Sequence, residues 1–514
     1  MVVGLKTLAN KQEDVLTIAH NQRLYFSALS AAAAATLIGY DSAFLGGTLA
    51  LPAFRREFGL NRQTSDKVNT LEANIVSFYQ VGCFVGALWA YFLGNYCGRK
   101  IGLVVAISVF IIGAILTMIA KSTLGLTPIY SGRVLTGLGI GAISNLTPIY
   151  LAEISLPAIR GRLVGGIVGF WINYGIAQNR RIQGPYQYLI PFGVQLIPAG
   201  LALFGTTFII KESPRWLLSR GRRSQARKNL SWLRKLDEKN ELLEKEFCMM
   251  EQSLSEINDK IGHSFWGPFK ALFGNRSMRL RLVLACSLFM LQNGTGINAI
   301  NYYSPKVFQS IGIKGTSGVL LSTGVFGVIK TLSTFVWLLY IVDYVDRTTL
   351  LMTGAFFGGI MMYGIGAFVA ITKPLEHPSS TLSYASGGAL VMFYLWTICY
   401  SPTWNPTPWV WAAEAFPTHV RTLSQACVAA SNWLFNFLVV RSTPQMFSAM
   451  NYGVYLLFGS MMMLSVIYVK LFVPELRGLP LESIDKAFEH HFSAQQFTVF
   501  KSIKKNKNRN LNNV

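Results

Sequence analysis

Long apolar runs separated by short polar stretches set the pattern of this chain. A helix needs roughly 20 residues to cross a hydrocarbon core. On that measure the runs predict about twelve spans, near residues 24–50, 72–95, 101–120, 126–150, 162–178, 188–210, 280–303, 318–342, 349–371, 384–413, 424–442 and 451–473. One polar insert, 211–279, divides them six and six. It contains RGRRSQARKNLSWLRKLDEKNELLEKEF, mixed in sign and rich in helix formers, which predicts a few short helices with a solvated charged face. The organisation expected is an N-terminal segment (1–23), a six-helix half (24–210), a helical linker (211–279), a second six-helix half (280–473) and a tail (474–514). The tail ends in KSIKKNKNRNLNNV, a basic polar stretch expected to be disordered.

Composition agrees with the pattern. Of 514 residues, 51% are hydrophobic and only 14% charged, where a soluble domain would carry roughly a quarter charged residues. An all-α polytopic membrane protein follows. The net charge of +22 would suggest a nucleic-acid partner in a soluble chain, but its distribution says otherwise. With both termini cytoplasmic, about 33 of the 46 Lys and Arg fall inside, about 11 outside and two within the membrane. That bias is the positive-inside signature of topology, which makes the lipid bilayer, not nucleic acid, the partner it implies. The first 23 residues are polar and resemble no cleavable signal. The six cysteines form no CxxC pair and read as free packing thiols. Asn145, Asn275 and Asn293 open N-x-S/T triplets, none in a predicted outer loop. No nucleotide loop or metal-spaced histidine cluster appears, so neither an enzyme nor a metal or organic cofactor is expected.

The two halves echo each other. PIYLAEISLPAIRGR follows span four and PWVWAAEAFPTHVRT follows span ten; GRK follows span two and DYVDR span eight; ESPR follows span six and PELR span twelve. The offsets all lie close to 250–260 residues, the plan of transporters built from two parallel repeats with a site near mid-membrane.

Three ionisable residues lie deep in predicted spans: Asp41, Arg133 and Lys330. A carboxylate in span one and a guanidinium in span four can pair, since alone either is costly. The pair is either a static buried salt bridge or a proton switch, in which separation from Arg133 lets Asp41 take up a proton. Lys330 is then left over. Thr323, Gly324, Gly327, Lys330, Thr331 and Thr334 form a small, polar stripe on its helix, with Leu332, Phe335, Val336, Leu338 and Leu339 in other directions. Two cations against one anion suggest that the cargo brings the missing negative charge. The alternatives are a lysine that is neutral when buried, or one bonded to backbone carbonyls. Span seven carries Gln292, Asn293 and Asn298, three amides that suit polyol hydroxyls or serve as interhelical glue.

GYDSAFLGG, GRVLTGLGIG, PIYLAEISLPAIRGR, KESPRWLL, QNGTGINAINYYSP, PTPWVWAAEAFPTHVR, NWLFNF and PELRGLPLESID occur in order from about residue 36 to 486. Together they resemble the sugar porter branch of the major facilitator superfamily, and within it most nearly the fungal quinate permeases. The resemblance implies the twelve-helix, two-half fold and a monomeric carrier in the plasma membrane. It implies that Gln292, Asn293 and Asn298 line the substrate site, that Tyr302 and Tyr303 sit near its outer gate, and that Trp409 and Trp433 floor it, with Asn436 as a further hydroxyl contact. Proton-coupled members carry Asp in the GYD motif, as here. Neutral-hexose carriers usually have an amide or small polar residue at the position of Lys330, so the lysine points to an acid such as quinate. Arg99, Glu153, Arg160, Glu212, Arg215, Glu414 and Arg421 correspond to a cytoplasmic latch. Some latch contacts should be weak, because DYVDRTT lacks the family's Gly-Arg-Arg ending and Asn95 replaces Asp.

One departure is larger. RGRLVGGIVGFWINYG lacks about nine residues that the family has, including the span-five Gln. Residues 163–178 would make about 24 Å of helix, short of roughly 30 Å. Either the site is rebuilt, the carrier is impaired, or the deduced sequence has lost a segment. The function expected is proton-coupled uptake of quinate or a related polyol acid, with the proton as coupling ion. Competing expectations are a monosaccharide proton symporter and a non-transporting nutrient sensor.

Overall fold

Among the described residues, helices occupy most of the length of the predicted apolar runs. The structure, a computed structural model, describes residues 22–154, 167–178, 184–262, 266–313, 315–341, 344–374 and 384–477, with Ile484 and Phe488. The first six spans are α1 (Gln22–Ala50), α2 (Ser65–Tyr96), α3 (Arg99–Ile119), α4 (Thr127–Ile154), α5 (Ile167–Gln178) and α6 (Tyr186–Ile209). The linker forms α7 (Pro214–Ser219), α8 (Arg223–Arg234) and α9 (Glu241–Ile261). Then follow α10 (Arg276–Gly294), α11 (Ile297–Ser310), α12 (Thr316–Val336), α13 (Arg347–Thr372), α14 (Tyr384–Tyr400), α15 (Thr407–Ala415), α16 (Thr418–Met450) and α17 (Gly453–Phe472). No strand occurs among the described residues. Ten helices among them are long and apolar enough to cross a membrane.

Two predicted spans lie outside those ten. α5 has 12 residues, about 18 Å of helix, and the expected span from 162 overlaps residues outside the described set. Asn173 nonetheless fastens α5 to α1, donating to Phe44 O at 2.7 Å and accepting from Thr48 Oγ1 at 3.0 Å. Span ten is divided into α14 and α15 by SPTWNP. Proline at the start of α15 has no N–H to satisfy, which lets a helix begin there after the break.

The chain groups into two compact units. Unit 1 takes in the described residues to Thr64 and Asn74–Pro268; unit 2 takes in Ser65–Ala73 and the described residues from Phe269 on. In unit 1, Gly82 and Gly86 of α2 face Gly137 and Gly141 of α4 so closely that a methyl at any of them would be driven into the opposing main chain. Without a hydrophobic drive between helices in lipid, such close approach of backbones is what holds them together. The linker helices build a separate core from Trp216, Leu217, Leu230, Leu243 and Phe247. Arg234 ties that core to the end of α4, donating to Ile154 O at 3.0 Å and pairing with Glu246 at 2.6 Å.

In unit 2 the span-seven run is two helices. Gly296 adopts φ +84°, a conformation that favours glycine, and the Phe458 ring occupies the space a side chain would need. Buried indoles find carbonyls: Trp404 Nε1 donates to Leu351 O at 2.8 Å and Trp411 Nε1 to Pro474 O at 3.0 Å. Large apolar side chains such as Phe208 (71% exposed) and Ile371 (82%) lie on the outside of the helices. A lipid-facing surface has that character; a water-facing one would expose polar groups. All six cysteines are free thiols.

Candidate functional site

The carboxylate of Asp41 on α1 and the guanidinium of Arg133 on α4 meet inside unit 1, Oδ1 to Nη1 at 2.7 Å, with both side chains essentially without solvent contact. Arg133 also donates to Ile75 O at 3.4 Å and lies over the Tyr79 ring, 4.3 Å from its centroid. Burial of both charges is tolerable only because they pair.

Unit 2 gathers the amides. Gln292 Nε2 donates to Trp404 O at 2.6 Å and Asn405 O at 3.1 Å, taking up carbonyls released where span ten breaks. Asn293 Nδ2 donates to Phe289 O at 2.8 Å and Asn432 Oδ1 at 3.0 Å. Asn298 Nδ2 donates to Asn293 Oδ1 at 2.6 Å, and Asn301 Nδ2 to Asn298 Oδ1 at 3.4 Å. The row ends at Lys330, whose Nζ donates to Asn301 Oδ1 at 3.1 Å. Lys330 is half-buried, and no carboxylate among the described residues pairs with it. Its stripe lies on the inner side of α12: Thr323, Gly324 and Gly327 are buried, whereas Leu332, Phe335 and Val336 are exposed. Leu338 and Leu339 fall outside the described side chains.

Sequence reasoning named Gln292, Asn293 and Asn298 and missed Asn301 and Asn432. Asn301 follows Asn298 by three residues, about one turn, and that spacing was the available signal. Asn432 stands beside Trp433 in SNWLFNF and carried no spacing signal of its own.

Unit 2 also holds several buried or stacked aromatic side chains. Trp433 is buried, and Trp409 meets Phe289 edge-on at 4.6 Å between centroids. Tyr400, buried, stacks on Trp396 at 5.4 Å. Asn436 is buried and its Oδ1 has no hydrogen-bond partner. Tyr302 and Tyr303 are both buried, and a kink in α11 falls at Tyr303. Beside Tyr303, Lys306 pairs with the buried Glu72 at 2.5 Å and donates to Asn69 at 2.8 Å. Glu72 lay at the edge of a predicted span and was not counted as an intramembrane acid. It brings its own cation, so of Asp41, Arg133 and Lys330 only the lysine lacks a partner of opposite sign among the described residues.

Charged residues of the repeated loop motifs build the same construction in each unit. Arg99 pairs with Glu153 at 2.7 Å, while Glu212 accepts from the main-chain N–H of Arg99 at 2.9 Å and of Lys100 at 3.2 Å. Gly98 has φ +98°, and Glu212 fills the place of its missing side chain. Burial raises the Glu212 carboxyl above the usual carboxylate range, against the lowering by those amide donors. In unit 2, Arg347 pairs with Glu414 at 3.1 Å and Glu475 accepts from Thr348 N at 2.9 Å. Arg421 donates to Phe416 O at 3.1 Å. Arg215 is exposed, and Arg160 lies outside the described residues. Arg281, not anticipated, is buried near the start of α10, donating to Ala415 O at 3.0 Å with Phe488 against its face.

Comparison with known proteins agrees with this architecture. The family model described as "Sugar (and other) transporter" matches residues 27–488. A probable quinate permease of Aspergillus fumigatus is 50% identical over 479 residues, covering 91% of this chain and 88% of its own. The quinate permease of Emericella nidulans is 48% identical over 481 residues, covering 91% and 89%. Among solved structures, the proton:xylose symporter XylE bound to 6-bromo-6-deoxy-D-glucose is 27% identical, with a TM-score of 0.74 over 91% of this chain and 100% of that one. With two repeated charge constructions, apolar helix exteriors and a polar row at the broken spans, the chain belongs to the sugar porter family of the major facilitator superfamily and is a multi-pass membrane transporter, not an enzyme.

Proposed function

We propose that this transporter takes up quinate or a related cyclic polyol acid together with protons, by alternating access, through a plasma membrane with both termini on the cytoplasmic side. One observation carries the acid: the Lys330 ammonium is held by an amide oxygen and by no carboxylate among the described residues. An ammonium at membrane depth without an anion is costly, and a carboxylate on the cargo would relieve it. The hydroxyls of the same cargo suit the amides of Gln292, Asn293 and Asn298, and the unpartnered Asn436 Oδ1 offers a further acceptor. Relatives named as quinate permeases support the same solute. Asp41, paired with Arg133, is the proton carrier of this reading, supported by likeness to a proton:xylose symporter. No metal or organic cofactor enters it, and the working unit is the monomer.

The test is uptake of labelled quinate by cells expressing the chain, beside Lys330→Gln. Saturable quinate uptake that the variant loses is expected. Robust uptake of glucose or xylose, none of quinate, and an indifferent variant would instead establish a neutral monosaccharide symporter.

A further inference from the structure

The amide row has a direction. An ammonium has only donors to offer, so Asn301 must turn Oδ1 toward Lys330. Its Nδ2 then faces Asn298 Oδ1, Asn298 Nδ2 faces Asn293 Oδ1, and Asn293 Nδ2 faces Asn432 Oδ1 and Phe289 O. Every donation runs away from the lysine, and every amide presents its negative end toward it. Aligned hydrogen bonds of this kind polarise one another in a low-dielectric setting. Asn301 is itself buried, 5% exposed, so water does not substitute for it.

An amide oxygen steers an ammonium without discharging it. A carboxylate in the same place would hold Lys330 as firmly and leave nothing for an anionic cargo. A hydrocarbon would leave the charge unsupported. From this we infer that Asn301 is the specificity-determining positioning residue of the site: it fixes the direction of the Lys330 ammonium and, by being neutral, keeps its full charge for the cargo. The inference rests on the acid-cargo reading above and adds to it a residue that touches the lysine and need not touch the solute.

The experiment compares quinate with its uncharged carboxamide as ligands of the purified full-length chain. It uses competition binding in detergent for wild type, Lys330→Gln and the near-isosteric Asn301→Asp. Wild type should prefer the acid, and Lys330→Gln should lose the preference. Asn301→Asp should reverse it, weakening the acid by roughly tenfold or more while carboxamide binding stays within about threefold. The ratio of the two affinities is the readout, because a merely structural loss would weaken both ligands alike. Asn301→Asp that still prefers the acid, when Lys330→Gln does not, overturns the role of Asn301 and leaves the substrate reading intact. A wild type with no preference overturns both. If Asn301→Asp shows no cooperative melting transition, Asn301→Leu decides: a roughly tenfold loss confined to the acid supports the inference, and equal or absent losses overturn it.

Discussion

Replacing Asp41 by Asn isolates the charge of the buried pair from its shape. The amide can keep an oxygen where Arg133 Nη1 now finds Oδ1 at 2.7 Å, but it can neither balance the guanidinium nor carry a proton. Removing one member of a buried ion pair typically costs about 3–5 kcal/mol. Two contacts soften that here: Ile75 O at 3.4 Å and the Tyr79 face at 4.3 Å. The ring contributes about 1–2 kcal/mol in a desolvated setting, so the expected net loss is about 1–4 kcal/mol. Adding Arg133→Gln should restore at least about 1 kcal/mol, because the uncompensated charge is gone and the two sites couple. Denaturation of the purified variants in detergent measures this. Reconstituted in liposomes, Asp41→Asn should still exchange internal for external quinate at equal concentrations but should no longer accumulate it when a proton gradient is imposed. Accumulation by Asp41→Asn would refute the assignment of the proton to this carboxylate. Wild-type stability of the single variant would refute the energetic argument.

Two further outcomes follow from packing and from unsatisfied groups. Gly137→Ala would push a methyl into Tyr79 O across the α2–α4 crossing, and should lower stability by about 1–3 kcal/mol in thermal melts. Gly200→Ala, where open space surrounds the added methyl, should be neutral or slightly stabilising. Asn436→Leu removes a buried oxygen that has no partner; it should stabilise the ligand-free chain by about 1 kcal/mol and weaken quinate binding, both measurable by melting with and without quinate.

The sequence made the spans legible because apolar length is what a bilayer demands, and the same demand made Asp41, Arg133 and Lys330 conspicuous. Helix ends were less legible. α2 begins at Ser65, before the predicted 72, because SDKVNTL continues the helical hydrogen bonding beyond the apolar window. That misplacement also hid Glu72, whose cation lies more than two hundred residues away at Lys306. The amides of span seven stood out in the motif, yet their direction did not, since it is set by a lysine on another helix. The fastening of α5 through Asn173 was not legible, because hydrogen bonds to Phe44 O and Thr48 leave no periodic trace.

Gly296 gives span seven an elbow, and the row of amides is strung across it. Asn293 precedes the bend and Asn298 follows it, yet 2.6 Å separates their bonded atoms. Swinging the arm that carries Asn298, Asn301 and the tyrosine pair would therefore snap the string at its middle. The groups suited to gripping a solute are thus also a protractor for the joint whose opening would let it leave.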